Sequence, residues 1–234
     1  MGALLALWAK FVRRAYPGEF YNEGVAALTQ DGILMELSLA GFSLPVTLRF
    51  SAPLSDADLL TFSRRNQPYR IERNAKGELE IMTPLGGDGS RWEALVIREL
   101  VFWAEDYGGV SFSSNGGFSL PDGSMLSPDA AWVAEERWNA LTREERRSFP
   151  PLCPDFLIEI LSASDSLPAL QAKMQIWMAN GAKLAWRLID PYVATVRIYR
   201  PGREVELLDR PDSLEADGPV AGFRLTTAKL WDKE

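Results

Sequence analysis

Histidine is absent from the 234-residue sequence, and Cys153 is its single cysteine. A Ser-His-Asp triad, a Cys-His pair and a histidine general base are excluded because each of them needs histidine. One cysteine cannot form an internal disulfide bond, and zinc sites built from cysteine and histidine are excluded on the same count. Histidine-dependent catalysis is therefore ruled out.

Long apolar runs and an excess of positive charge are also missing. No run approaches the roughly 20 residues that cross a bilayer. Residues 1–8 resemble the start of a signal peptide, but the run is short, basic residues follow it, and no small-residue cleavage site closes it. We therefore expect a cytoplasmic protein without a membrane partner. The net charge is −7, so contact with nucleic acid would require a local basic patch.

The composition, 47% apolar and 24% charged, is ordinary for one globular domain with attachments. Residues 1–50 have no sustained hydrophobic period, and we expect them to form a weakly organised N-terminal extension with a short helix over residues 4–15. Met35 is an alternative start, in which case the first 34 residues are a misassigned or poorly ordered segment. The domain is expected to span residues 51–234, with the extension dispensable for its fold.

Clear secondary-structure signals begin at Ser55, which stands three residues before Asp58 as in a helix N-cap. They predict a helix over residues 58–65 and then a hairpin whose strands, 69–73 and 78–82, flank Asn74-Ala75-Lys76-Gly77. Apolar residues at three- and four-residue spacing predict an amphipathic helix over residues 90–107. Further strands are predicted at 110–114, 118–120, 130–133, 156–161, 184–189 and 195–199, and further helices at 135–147 and 167–180.

Two carboxylates stand at unusual places in this pattern. Glu159 interrupts an apolar strand, where an unpaired ionised carboxylate costs several kcal/mol, although a sheet edge or an arginine partner would account for it alone. Asp129 opens a strand directly after Pro128, and alone it is typical of a turn or cap. Together the two supply the hard oxygen ligands that Mg²⁺ prefers. Lys173, in the helix that follows, is a candidate to return its ammonium group toward them, although lysines on helices are usually solvated.

A series of ordered motifs runs through the same region. They are Leu79-Glu80-Ile81-Met82-Thr83-Pro84 with Gly86-Gly87, Ser127-Pro128-Asp129, Cys153-Pro154-Asp155-Phe156-Leu157-Ile158-Glu159-Ile160-Leu161-Ser162, Lys173, Gly181-Ala182-Lys183-Leu184-Ala185-Trp186, Ile189-Asp190-Pro191, Tyr199-Arg200-Pro201-Gly202 and Val220-Ala221-Gly222-Phe223-Arg224-Leu225. The series resembles the bacterial Uma-two (Uma2) family over about residues 50 to 231.

The resemblance implies an α/β fold with a restriction-endonuclease-like core of the PD-(D/E)xK type, in which helices flank a mixed central β-sheet. It implies Asp129 as the motif aspartate, Glu159 as the second acidic residue, and Glu93 as an extra metal ligand on the first long helix. Many such nucleases carry lysine two residues after the second acidic residue, where this chain has Leu161. Lys173 is the candidate substitute, and Mg²⁺ is the implied cofactor.

Two functions are consistent with these residues. The first is a metal-dependent endonuclease that hydrolyses phosphodiester bonds, more readily of DNA than of RNA, with Mg²⁺ held by Asp129 and Glu159 and with Lys173 acting on water or on developing charge. The alternative is a catalytically inactive nuclease-fold protein that serves as a binding module or scaffold. Leu161 and the acidic net charge favour the alternative.

Two kinds of surface are expected to meet partners. Basic residues would face a nucleic-acid backbone, and tryptophans that look exposed would anchor a homodimer. The basic groups are Arg64-Arg65 with Arg70 and Arg73, and Arg143 with Arg146-Arg147; the tryptophans are Trp132, Trp138, Trp177 and Trp186.

Overall fold

The computed structural model describes residues 26–30, 33–38, 44–50, 52–162, 166–189 and 193–231, so the helix expected over residues 4–15 lies outside the described residues. The α-helices are α1 (Asp56–Arg65), α2 (Gly87–Tyr107), α3 (Glu135–Ala140), α4 (Arg143–Arg147) and α5 (Leu167–Ala179). The strands are β1 (Ala26–Gln30), β2 (Ile33–Ser38), β3 (Val46–Leu48), β4 (Arg70–Arg73), β5 (Leu79–Met82), β6 (Val110–Ser113), β7 (Phe118–Ser119), β8 (Met125–Leu126), β9 (Ala130–Val133), β10 (Phe156–Ile160), β11 (Leu184–Ile189), β12 (Thr195–Tyr199), β13 (Glu206–Asp209), β14 (Ser213–Glu215) and β15 (Arg224–Thr226).

A six-stranded mixed sheet forms the centre of the fold, in the order β13-β12-β11-β10-β9-β6. Strands β10 and β11 are parallel, and their other neighbours in the sheet are antiparallel. Helix α2 packs through Trp92, Val96 and Leu100 against one face of this sheet, and α5 packs through Met174 and Trp177 against the other. The result is the expected mixed sheet flanked by helices.

Strand β10 is buried along its whole length because helices cover both faces of the sheet. Side chains alternate between the two faces of a strand, so Phe156 and Ile158 pack with α2 whereas Leu157 packs with α5. Glu159 shares the face of Leu157. Its carboxylate is therefore directed into the interior, between the sheet and α5.

A second sheet, in the order β3-β5-β4-β8-β7, packs against α1. The Ser55 hydroxyl accepts a hydrogen bond from the Asp58 backbone N–H at 3.2 Å, as the sequence predicts for the start of α1. Strands β4 and β5 form the predicted hairpin, and Gly77 turns it with a φ of +80°. The charged face of β4 is directed toward the end of β10.

The predicted helix over residues 135–147 is wrong as a single element. It is divided into α3 and α4, because Thr142 caps a new helix: its hydroxyl accepts from the Glu145 N–H at 3.2 Å, and the Glu145 carboxylate accepts from the Thr142 N–H at 2.7 Å. Strands β1, β2 and β3 were not predicted, and neither were β8, β13, β14 and β15, each of which has only two to four residues. Such short strands carry too few alternations to stand out in a sequence.

The edge of the second sheet comes from a segment before residue 51. Val46 in β3 pairs with Ile81 in β5 and is buried in the core around α1. The domain boundary at residue 51 stays a prediction, but a chain that began there would lack this edge strand. Met35, the alternative start, lies inside β2.

The tryptophans expected at a dimer interface are core residues. Trp177, Trp186 and Trp132 are 0%, 1% and 6% exposed, and Trp138 is half-buried against Phe112. Helical or strand spacing alone did not distinguish an aromatic residue that faces the core from one that faces solvent. Trp132, Trp177 and Trp186 are too buried to anchor a homodimer, which stays a prediction without their support. No helix within the described ranges is long and apolar enough to cross a membrane.

Gly109 is a position where a larger residue is expected to destabilise the fold strongly. Its φ is +85°, and a Cβ atom there would overlap the indole ring of Trp132. That ring is fixed by a hydrogen bond of 3.0 Å from its Nε1 to the Gly108 carbonyl oxygen. Backbone strain and overpacking together should make Gly109→Ala about 3 kcal/mol less stable in urea denaturation.

Gly123 provides the matched control for this prediction. Its φ is +87°, and an added Cβ would meet no described atom within 4 Å. Gly123→Ala should therefore lose only about 1 kcal/mol, from the backbone conformation alone. Equal losses at the two positions would show that the Trp132 contact does not limit residue 109.

Candidate active site

The predicted site residues meet where β9 begins and β10 ends. These strands are antiparallel, so Asp129, directly before β9, lies next to Ile160 at the end of β10. The Ile160 N–H donates to Asp129 Oδ2 at 2.6 Å. Asp129 is 5% exposed. Pro128 cannot donate a ladder hydrogen bond, which suits its place directly before the strand.

Glu159 is 2% exposed and is held by two donors from α5. Trp177 Nε1 donates to its Oε1 at 2.8 Å, and Lys173 Nζ lies 3.0 Å from the same oxygen. Burial raises the pKa of Glu159 to about 7, while the Lys173 charge acts in the opposite direction and the Asp129 charge raises it further. The carboxylate is thus costly to ionise unless further positive charge is supplied.

Lys173 bridges three acceptors. Its Nζ donates to Glu72 Oε1 at 2.9 Å, to the Ser127 carbonyl oxygen at 3.1 Å and to Glu159. Burial disfavours the ammonium form, but the Glu159 and Glu72 carboxylates outweigh it, so the pKa of Lys173 is raised above its ordinary value. Lys173 therefore stays protonated at neutral pH and cannot act as a general base.

Strand β4 contributes two charged residues that the sequence analysis did not assign to the site. Arg70 NH1 donates to Asp129 Oδ1 at 2.9 Å, and Arg70 NH2 donates to the Ser127 carbonyl oxygen. Glu72 is 4% exposed and accepts from the Ser127 N–H at 3.0 Å. The two residues alternate with Ile71, which faces the core around α1, and this spacing of two was the available signal.

Glu93 approaches the same place from α2. Its Oε2 accepts from the Ser114 hydroxyl at 2.8 Å, and its Oε1 is buried without a hydrogen-bond donor among the described residues. Burial, and then the neighbouring Asp129 carboxylate, raise the pKa of Glu93 to about 7. Glu93 is thus close to Asp129, as the sequence predicts.

Four carboxyl groups share this cluster with two cations. The acids Glu72, Glu93, Asp129 and Glu159 leave two negative charges uncompensated by Arg70 and Lys173 when all are ionised. No group of three or more carboxylate or cysteine side chains in the described part of the chain is arranged to hold a metal ion as it stands. Arg70 and Lys173 instead form ion pairs with Asp129, Glu72 and Glu159.

Comparison with known proteins identifies the family. The profile of the Uma2 family, described as "Putative restriction endonuclease", matches residues 56–228. The chain belongs to the Uma2 family. Its fold is similar to a crystal structure described as that of "a putative nuclease belonging to DUF820" from Anabaena variabilis, with a TM-score of 0.60 and 22% identity over 76% of this chain and 98% of that chain. No protein of curated function matches it.

In this Uma2 chain, the lysine that contacts Glu159 comes from helix α5. Leu161 occupies the usual position, two residues after Glu159, and is half-buried. Lys173 lies 14 residues beyond Glu159 and reaches its carboxylate from α5. Asp129, Glu159, Lys173 and Glu93 are therefore brought together, and their catalytic and metal-binding roles stay predictions.

The prediction that Arg70 and Arg73 belong to a basic surface with Arg64-Arg65 is wrong. Arg73 is 7% exposed and pairs with Asp56 Oδ1 at 2.7 Å, while Arg70 pairs with Asp129. Neither contributes to a surface patch with Arg64-Arg65. The guanidinium groups of both residues are engaged by carboxylates from distant segments, which a local sequence pattern does not indicate.

The stability of the metal-free Uma2 protein is expected to fall as the pH rises through about 7. Glu93 and Glu159 have folded-state pKa values of about 7 against an ordinary 4.5, so their protonated forms are favoured by folding. That contribution is fully present below the ordinary pKa and is lost as the pH rises through the folded value. The sequence has no histidine, so no imidazole titrates in the same range.

Thermal denaturation in EDTA, from about pH 5 to about pH 8, measures this loss. Glu93→Gln should flatten the decline, because the variant removes one of the two titrating groups. A melting temperature that stays constant or rises across this range in the parent protein would contradict the charge assignment of the cluster.

Proposed function

We propose that this protein is a Mg²⁺-dependent endonuclease that hydrolyses phosphodiester bonds of nucleic acid, with DNA preferred to RNA as its substrate. The observation that supports this most is the contact of Lys173 with Glu159, 3.0 Å apart, beside Asp129 on the adjacent strand. The two carboxylates supply the oxygen ligands that a metal ion requires, and the ammonium group supplies positive charge for the charge that develops on a phosphate. The family description agrees with this chemistry.

The donors fit a divalent cation in type and charge. Asp129, Glu159 and Glu93 would hold it, since carboxylate oxygens are what Mg²⁺ prefers. Glu93 Oε1 is a buried acceptor that no described donor satisfies, and when all four acids are ionised the cluster carries two negative charges that Arg70 and Lys173 do not compensate. When bound, Mg²⁺ supplies a Lewis acid for the phosphate and lowers the pKa of a bound water.

The protein's own residues would then orient the attacking water and the carboxylates, and would compensate negative charge. Lys173 is held by three acceptors and stays protonated, so its role is to orient water or to stabilise the negative charge that develops on the phosphate. Trp177 fixes Glu159 through its Nε1–H, and the Ile160 N–H fixes Asp129. Preorganised donors of this kind lower the barrier because they need not reorganise during the reaction.

A non-catalytic role is the second candidate, and one observation favours it. All three N–H donors of Lys173 are used by acceptors within the protein. Lys173 therefore also serves as a counter-ion that stabilises the fold around buried acids. A protein that keeps such a cluster for stability alone would bind nucleic acid or assemble with other chains without cleaving them. Cytoplasmic location and a homodimer remain predictions under either function.

A cleavage assay separates the two functions. Purified protein is incubated with supercoiled plasmid DNA, single-stranded DNA and RNA, with Mg²⁺ or with EDTA. Nicking or linearisation that requires Mg²⁺ supports the endonuclease. Binding of these nucleic acids without any cleavage at high protein concentration would instead support the binding module.

A further inference from the structure

The cluster is layered, with three of its four acids less exposed than its cations; the fourth, Glu93, is partly exposed. The side chains of Glu159, Glu72 and Asp129 are 3%, 5% and 7% exposed, whereas those of Lys173 and Arg70 are 17% and 22% exposed. An anionic ligand that approaches from solvent would therefore meet Arg70 and Lys173 before it meets these three carboxylates. This order of charge suits a phosphate group above a cation site.

Arg70 is the cation that has donors to spare. An ammonium group has three N–H donors, and those of Lys173 are directed to Glu72, Ser127 and Glu159. A guanidinium group has five, and Arg70 donates one to Asp129 and one to Ser127. Its Nε is buried and has no hydrogen-bond partner among the described residues.

We infer that Arg70 binds a nonbridging oxygen of the substrate phosphodiester, with its guanidinium group as the phosphate-recognition element of the site. The inference rests on the proposed nuclease function and adds to it the residue that contacts the substrate. Arginine is suited to the role because its planar fork matches the geometry of phosphate oxygens. Its contact with Asp129 Oδ1 fixes the fork beside the position proposed for the cation.

Binding of a labelled oligonucleotide tests this inference without cleavage. Fluorescence anisotropy is measured with Mg²⁺ on a labelled DNA duplex and on a labelled single strand, using the Glu159→Gln background to keep the substrate intact. Arg70→Gln should raise Kd about tenfold for both substrates, because a phosphate contact is independent of base sequence. It should also reduce the slope of log K against log salt by about 0.9 on the duplex and by about 0.7 on the single strand, the values of one lost phosphate contact.

Two further variants keep the experiment interpretable. Arg70→Lys preserves the charge that neutralises Asp129, so it should fold normally and keep the salt slope, yet bind about tenfold more weakly because it lacks the fork. Arg203→Gln removes an exposed arginine in the turn before the opposite sheet edge and should leave Kd and slope unchanged. Thermal denaturation establishes that each variant is folded.

The outcomes distinguish this inference from the proposed function. If the parent protein cleaves DNA but both Arg70 variants bind and cleave as it does, only the role of Arg70 is overturned. If the parent protein neither binds nor cleaves any of these nucleic acids, the nuclease function falls and the inference falls with it. Weaker binding by Arg70→Gln with an unchanged salt slope would also overturn the phosphate contact.

Discussion

Glu159→Gln is expected to abolish Mg²⁺-dependent cleavage while leaving the metal-free protein within about 1 kcal/mol of the parent in stability. The amide keeps the shape of the side chain, and its oxygen still accepts from Trp177 Nε1. It cannot act as a charged ligand, so a loss of at least about 100-fold in rate is expected from the weakened charge stabilisation. Plasmid nicking measures the rate, and urea denaturation in EDTA measures the stability.

The stability expected for this variant follows from the charge of the cluster. Loss of the Glu159 charge removes two attractions, to Lys173 and Arg70, and also removes two repulsions, from Asp129 and Glu72. Glu72 remains as a partner of Lys173 at 2.9 Å. Mg²⁺ should therefore raise the melting temperature of the parent protein more than that of Glu159→Gln, because it binds only the folded state.

An exposed glutamate of α3 supplies the matched control. Glu136→Gln makes the same chemical change on the surface, and it should leave cleavage and the effect of Mg²⁺ unaltered. The nuclease assignment fails if Glu159→Gln nicks plasmid at the parent rate. A variant that does not fold would be recognised by the loss of its cooperative urea transition.

The site residues that the sequence analysis found are those that break the expected pattern within a single strand or helix. Glu159 stood out because it interrupts an apolar strand, and Asp129 because a proline precedes a strand. Lys173 was found because it is only 14 residues from Glu159, in the next helix. Each of these signals is local: periodicity singled out the three residues, and the resemblance to the Uma2 family assigned them to one site.

The residues that the sequence analysis missed belong to contacts between distant segments. Glu72 and Lys173 are separated by 101 residues, and Arg70 and Asp129 by 59. Their meeting depends on how the second sheet docks on the end of β10, which no local period encodes. The same limit explains why the tryptophans were expected on the surface, since burial is decided by what covers a face.

Lys173→Met is expected to remove activity and to destabilise the metal-free protein by about 3 kcal/mol. Methionine fills a similar volume but leaves Glu72 and Glu159 facing each other without the ammonium group between them. The excess negative charge of the cluster then increases, so Mg²⁺ should stabilise this variant more than the parent. Melting temperatures with Mg²⁺ and with EDTA measure that difference, and plasmid nicking measures turnover.

A second substitution decides whether Lys173 acts in the reaction or only compensates charge. Glu72→Gln keeps an acceptor for the Ser127 N–H and removes one of the two carboxylates that Lys173 separates, so alone it should retain activity within about tenfold. In the double variant with Lys173→Met, it should restore most of the lost stability, because the repulsion with Glu159 is gone. If turnover returns together with stability, Lys173 is a structural counter-ion; if the double variant is stable but inactive, Lys173 acts on the substrate or on its attacking water.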